Sequence, residues 1–239
     1  MLSAVAKQPC LNWTGDGFRL IPSRFPPVSI YEGLVEEDLF EALIKVEDIT
    51  NPRLKSVQRI TASTSRLPTD SPRLQNWNHA PFAYSNPEGT RFFPPDRPCL
   101  ELADCPQTAL AISVERRQNF LARTGEPPIG LDMRMLKTPA SGRFVDLRDV
   151  DIGLKREDRW KIGATIPTDV DGIVYHPPER PSATCIGVLK GSVLARSVQT
   201  AHYRFSWNGN RITKLYAFDD VGREYEPAQL SGQDEVVAA

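Results

Sequence analysis

Proline is the residue that most constrains this chain, standing at 21 of 239 positions against an average usage of about 5%. Each proline locks φ near −65° and removes a backbone donor, so it interrupts helix interiors and central strands. Pro22, Pro26 and Pro27 break the first segment, Pro94, Pro95 and Pro98 a central loop, and Pro127-Pro128 follows Gly125-Glu126. A helix-dominated fold is thereby excluded, and short elements joined by long turns are expected. The opening segment to Pro27, with Asn12-Trp13-Thr14-Gly15-Asp16-Gly17 as turn chemistry, reads as loop.

Regular structure is expected where the apolar period allows it. Val35, Leu39, Phe40, Leu43, Ile44, Val46 and Ile49 recur at helical spacing, with Glu36, Glu37 and Asp38 in the first turn, where the helix dipole favours negative charge. Residues 1–60 therefore read as an N-terminal extension carrying one amphipathic helix, ended by Asn51-Pro52. Residues 60–97 are rich in Ser, Thr, Asn and Pro and read as a long segment wrapping a site or an interface. Cys99 to Ala103 reads as a short strand, and Pro106 opens a helix over Gln107 to Ala122. Strands are expected over Leu131–Leu136, Phe144–Leu147, Ile173–Tyr175 and Cys185–Leu189. A hairpin is expected from His202–Trp207 through Asn208-Gly209 to Arg211–Phe218. Short strands interleaved with helices, without regular βαβ spacing, give an α+β class. The main domain spans 61–222, and 223–239 reads as a polar tail.

Composition narrows the function classes. Twenty-nine Lys and Arg against thirty Asp and Glu leave a net charge of −1, so the chain lacks the global footprint of a nucleic-acid or membrane binder, although a local basic patch is compatible with it. Cys10, Cys99, Cys105 and Cys185 form no C-x-x-C pair and have no His at zinc-like spacing, so no metal site is expected. The first ten residues lack a sustained apolar run, and no stretch approaches the roughly 18 residues that span a bilayer. A reduced, cytoplasmic protein is expected. The phosphate-loop, dinucleotide, zinc-protease and serine-hydrolase motifs are all absent, and with only His79, His176 and His202 available no local context favours a catalytic triad.

Seven segments nevertheless occur in a recognisable order: Arg19-Leu20-Ile21-Pro22-Ser23-Arg24-Phe25, Asn51-Pro52-Arg53-Leu54, Gly89-Thr90-Arg91-Phe92, Phe120-Leu121, Leu131-Asp132-Met133-Arg134, Asp171-Gly172-Ile173-Val174-Tyr175 and Trp207-Asn208-Gly209-Asn210-Arg211-Ile212-Thr213. Together they resemble the RES-domain family from about residue 18 to 218. The resemblance implies a fold similar to ADP-ribosyltransferases. It also implies a bacterial toxin of a toxin-antitoxin pair that consumes NAD by phosphorolysis or hydrolysis, or transfers ADP-ribose. An Xre-type antitoxin and a homodimer are the implied partners, with no direct nucleic-acid partner.

The family's named residues map unevenly. Its Arg falls on Arg91, its Tyr on the Leu100-Glu101 pair, its Glu on Ile112 and its Ser on Pro177. Ile can neither hydrogen-bond a ribose hydroxyl nor carry charge, and Pro offers neither hydroxyl nor N–H. Cleaving the nicotinamide-ribose bond passes through an oxocarbenium-like state that needs a carboxylate. Glu115, one helical turn beyond Ile112, and Glu101, on the preceding strand, are the substitutes to consider. Arg91 is the candidate for the pyrophosphate and Tyr175 for stacking on the ligand. Two expectations follow: a degenerate RES domain that binds a partner or a nucleotide without turnover, or an active NAD glycohydrolase, phosphorylase or ADP-ribosyltransferase using a relocated carboxylate.

Overall fold

A computed structural model describes residues 8–23, 76–83, 86–219 and 222–237. The helix expected over 35–49 lies outside them. The described residues form an eight-stranded mixed sheet with four α-helices, an α+β architecture as expected.

The first strand is the main departure from expectation. β1 (Cys10–Pro22) runs through the segment read as loop and pairs antiparallel with β3 (Ile129–Asp146) from Cys10↔Val145 to Pro22↔Met133. Turn-prone residues do not forbid extended backbone, and thirteen residues of ladder outweigh their weak local preference. Gly17 is required for a further reason: a Cβ there would stand 2.8 Å from the Leu102 side chain, where β1 crosses β2 (Leu100–Ala103) at Phe18↔Ala103.

β3 is also longer than expected, joining two anticipated strands through Pro139 and Gly142. On the side away from β1 it pairs with β6 (Val198–Trp207) up to Lys137 and, in parallel, with β4 (Gly172–Tyr175) from Phe144. Pro139 lies between those two ladders, where no strand asks for its missing N–H. β4 pairs with β5 (Cys185–Val188) and β5 with β2, so the pairings β1-β2-β5-β4-β3-β1 close into a ring. β7 (Ile212–Ala217) and β8 (Glu224–Tyr225) extend the sheet beyond β6. The hairpin between β6 and β7 forms as expected, with Gly209 at φ +93° and Asn208 Oδ1 accepting from the N–H groups of Asn210 and Arg211.

Alternation along the short strands separates two buried clusters. Leu100, Leu102, Val174, Ile186 and Val188 pack on one face with Phe144 and Leu194. Cys99, Ala103, Ile173, Tyr175 and Cys185 belong to the other cluster, together with Leu110, Val114 and Leu121 of α2 (Pro106–Thr124). α2 starts on Pro106 and ends on Gly125, whose φ of +64° lets its N–H reach Leu121 O. Three described helices stand where none was expected: α1 (Asn76–Ala83), in the Ser/Thr/Pro-rich stretch, α3 (Arg156–Ala164), and a single turn in the stretch read as a polar tail.

The segment read as a polar tail is mostly exposed but is tied to the rest of the fold at a few points. After β8, α4 (Pro227–Leu230) leads into a segment held against the start of α2. Gln107 Nε2 donates to Asp234 O at 2.9 Å, and Arg180 donates to Gly232 O and Gln233 O at 2.9 and 3.0 Å. Leu230 and Val237 are buried there.

Candidate functional site

The site is built first by the loop 86–98, which α3 holds in place. Asn86 closes its entry, with Nδ2 donating to Gly89 O at 2.8 Å. Gly89 takes φ +69°, and a Cβ there would lie 2.5 Å from Phe93 O, so only glycine fits. From α3, Trp160 Nε1 donates to Thr90 O at 3.1 Å and Arg159 Nε to Arg91 O at 3.1 Å. Gly163 lets the helix lie directly on the loop backbone, since a Cβ there would stand 1.8 Å from Phe92 O. Arg97 reaches back to the carbonyls of Gly163 and Ile166. The prolines of this loop thus sit inside a fixed structure, and Arg91 is presented from a rigid base.

A cleft of about 700 Å³ opens between this loop, β1, the exposed stripe of α2 and the β4–β5 connection. Ala109, Ile112, Ser113, Arg116, Phe120 and Arg123 line it, recurring three and four residues apart as one helix face requires. Arg91, Glu101, Ile112 and Pro177, positions that the sequence resemblance singles out, all line this one cleft. Of the Leu100-Glu101 pair, Leu100 packs with the opposite cluster, and strand alternation turns Glu101 into the cleft.

Glu101 is the best-anchored group there. Its Oε1 accepts from the Arg91 N–H at 3.1 Å and from the Tyr175 hydroxyl at 2.9 Å, while Oε2 is held in an ion pair by Arg116. Its side chain is 10% exposed, that of Arg116 53%. Burial alone would raise the carboxyl's pKa, but the charge and hydrogen bond of Arg116, with the donors from Arg91 and Tyr175, hold it below its ordinary value. Tyr175 shifts the other way: burial and the Glu101 charge push its hydroxyl well up, which keeps it a donor. Its ring meets Phe92 edge to face at 5.3 Å and lies 6.0 Å from the Arg91 guanidinium.

Glu115 is placed differently from Glu101. It is exposed, lies just off the cleft-facing stripe, and accepts from Asn119 Nδ2 at 2.9 Å. The structure therefore brings Arg91, Glu101 and Tyr175 into one hydrogen-bonded group and leaves Glu115 outside it.

Sequence reasoning missed most of the cleft's charge. Arg19 comes from β1, Arg116, Arg117 and Arg123 from α2, and Arg156 and Arg159 from α3; with Arg91 they make seven arginines, against Glu88, Glu101 and Glu179. Burial lowers the pKa of Arg159, and the neighbouring Arg91 and Arg156 charges lower it further. Burial raises that of Glu179 against the pull of Arg116 and Arg91. Crowded like charges in a partly dry cleft are costly unless an anion arrives to share them. The only signal in the sequence was the placement of Arg116 and Arg117 on the expected helix, with Arg123 one residue beyond its expected end. Among the described residues no group of His, Cys, Asp and Glu is arranged to hold a metal ion. No described helix is long and apolar enough to cross a membrane.

A family model described as the RES domain matches residues 66–208. The chain belongs to the RES-domain family. It is also 61% identical over 221 residues to the uncharacterized protein y4oC of Sinorhizobium fredii (strain NBRC 101917 / NGR234), covering 92% of this chain and 95% of that one. The RES match starts after β1, so Arg19 reaches the cleft from outside the matched stretch.

Proposed function

We propose that this RES domain binds a pyrophosphate-containing nucleotide, NAD being the one the family resemblance implies, and holds it without cleaving it. The observation that carries this reading is the cleft's charge: seven arginines line it, and Glu101 is tied by three donors at its floor. Arg91 and Arg159 stand at one wall, suited to clasp a pyrophosphate. The apolar surface of Ile112 and Phe120 offers room for a base or ring. A carboxylate already neutralised by Arg116 contributes little to a developing oxocarbenium ion, which needs an uncompensated negative charge beside it. In this reading the protein acts in the cytoplasm through binding, with an Xre-type antitoxin or a second copy of the chain as the protein partner.

A second reading rests on Glu101 itself, which stands ionised in the cleft beside Arg91. If ligand phosphates draw Arg116 away, that carboxylate becomes available, and the domain would act as an NAD-consuming toxin.

Calorimetry of the full chain with NAD, alongside measurement of released nicotinamide, tests both. The expected outcome is saturable binding, weakened by roughly tenfold or more in Arg91→Ala or Arg159→Ala as one charge-assisted contact is lost, with no nicotinamide released. Absence of binding overturns the proposal. Nicotinamide release that Glu101→Gln abolishes replaces it with the second reading.

A further inference from the structure

The three acids that line the cleft differ in their commitments. Glu101 is paired with Arg116 and Glu88 with Arg123. Glu179 is half-buried in the same cleft and has no ion pair and no hydrogen bond to another side chain among the described residues. It is nonetheless fixed in place. The Arg180 N–H donates to Pro177 O at 3.3 Å, closing a turn with Pro178 and Glu179 at its centre, and the locked φ of proline suits the first of those two positions. Arg180 ties the turn down from the far side, through Cys105 and Thr108 at the start of α2 and the carbonyls of Gly232 and Gln233. The acid faces inward, since the charges of Arg116, Arg91 and Glu101 all act on it. Burial raises its pKa against the pull of the two arginines, the condition of a carboxylate with no cation in contact.

The two ends of the cleft are therefore unlike. Ile112 and Phe120 stand roughly 12 Å apart along the α2 axis, with Arg116 between them. At the Phe120 end the acid, Glu88, is already answered by Arg123. At the Ile112 end, over the first turns of α2, the acid is the uncommitted Glu179. A dinucleotide has the same layout, two rings joined through a pyrophosphate, and in oxidised NAD one of those rings is a cation.

We propose that Glu179 determines which redox form of the ligand the cleft holds: its carboxylate receives a cationic ring at the Ile112 end and so selects oxidised NAD over NADH. This rests on the nucleotide-binding reading above and deepens it. The rest of the cleft favours the opposite choice. Seven arginines against three glutamates leave a surplus of positive charge, and NADH, whose ring is neutral, is the more negative dinucleotide. A preference for the oxidised form needs a local acid, and Glu179 is the one whose charge is not already paired.

Calorimetry on the full chain with oxidised NAD, with NADH and with ADP-ribose, which lacks the ring, tests this at one ionic strength. The parent protein should hold NAD about fivefold or more tighter than NADH, the scale of one partly screened charge pair. Glu179→Gln should bring NAD to the NADH level or below it, while NADH and ADP-ribose bind as tightly as before or more tightly, because a negative charge has left the cleft. Glu179→Asp should keep part of the preference. Equal affinities for NAD and NADH in the parent protein overturn the proposal and leave nucleotide binding intact. A preference that survives in Glu179→Gln also overturns it. So does an equal loss for all three ligands in that variant, which marks a role in shaping the cleft and not in reading charge. If none of the three ligands binds, the nucleotide reading falls and this one falls with it.

Discussion

Replacing Glu101 tests the electrostatic core of the site. In the wild-type cleft its carboxylate satisfies the Tyr175 hydroxyl and the Arg91 N–H and neutralises Arg116. Glu101→Ala leaves a buried hydroxyl and a part-buried N–H without an acceptor, at about 1 to 3 kcal/mol each. The ion pair adds less than a fully buried one, because Arg116 is half-exposed and recovers hydration when freed, so about 1 kcal/mol is assigned to it. A total of about 5 kcal/mol, the middle of that range, lowers the melting temperature by roughly 10 to 20 °C in a protein of this size. Glu101→Gln keeps an acceptor for both donors and loses only charge, so about 1 to 2 kcal/mol is expected. The sign with pH follows from the lowered pKa. Stability from the Glu101 charge is fully present above the unfolded value, about 4.3, and is lost as pH falls through the lower folded value. Urea unfolding from pH 7 downward should therefore show the wild type converging on Glu101→Gln in acid. A constant gap between the two across that range, or a cost below 1 kcal/mol for Glu101→Ala, refutes the account of the site as a charge-locked cluster.

Two further perturbations probe how the site is held. Gly163→Ala places a methyl group where Phe92 O stands, 1.8 Å from the new Cβ. It should cost about 3 kcal/mol or more and weaken nucleotide binding by shifting the Arg91 loop; unchanged melting and affinity would show that α3 does not set that loop. Arg180→Ala removes the donors to Gly232 O and Gln233 O and the contacts to Cys105 and Thr108. Limited proteolysis should then cut within 222–237 far faster than in the parent protein, at a stability cost of about 3 kcal/mol, whereas equal cleavage rates would refute the clamp.

What was legible in the sequence divides along physical lines. α2 was visible because Pro106 and Gly125 mark its ends and Leu110, Val114 and Leu121 mark its face. The β6–β7 hairpin was visible because Asn208-Gly209 carries its own turn. β1 was not, because its Gly-Asp-Gly run has local turn chemistry, whereas Gly17 serves the crossing with β2, a tertiary fact. α3 was not, because its only buried residue is Gly163 and it shows no apolar period. Its acidic first turn, Glu157 and Asp158, and Lys161 in its last turn were the available signs. The cleft's arginines come from three separate helices and strands and a loop, and no window of sequence contains them.

The choice between Glu101 and Glu115 shows the same limit in one pair of residues. Spacing from Ile112 made both plausible, since a helical turn and a neighbouring strand each bring an acid near the lost position. Strand alternation decides for Glu101, because the side chains of Leu100 and Leu102 are committed to the opposite cluster and that of the intervening residue turns toward the cleft. Yet that same placement puts the carboxylate between Tyr175, Arg91 and Arg116, whereas an acid at position 112 would project from a helix face with its oxygens free. A free carboxylate serves a cationic transition state; a triply engaged one organises the cations around it. On the nucleotide-binding reading proposed above, an acid on β2 in place of one on α2 does more than move a charge by one element: it favours the negative groups of a ligand over a positive centre in a reacting sugar.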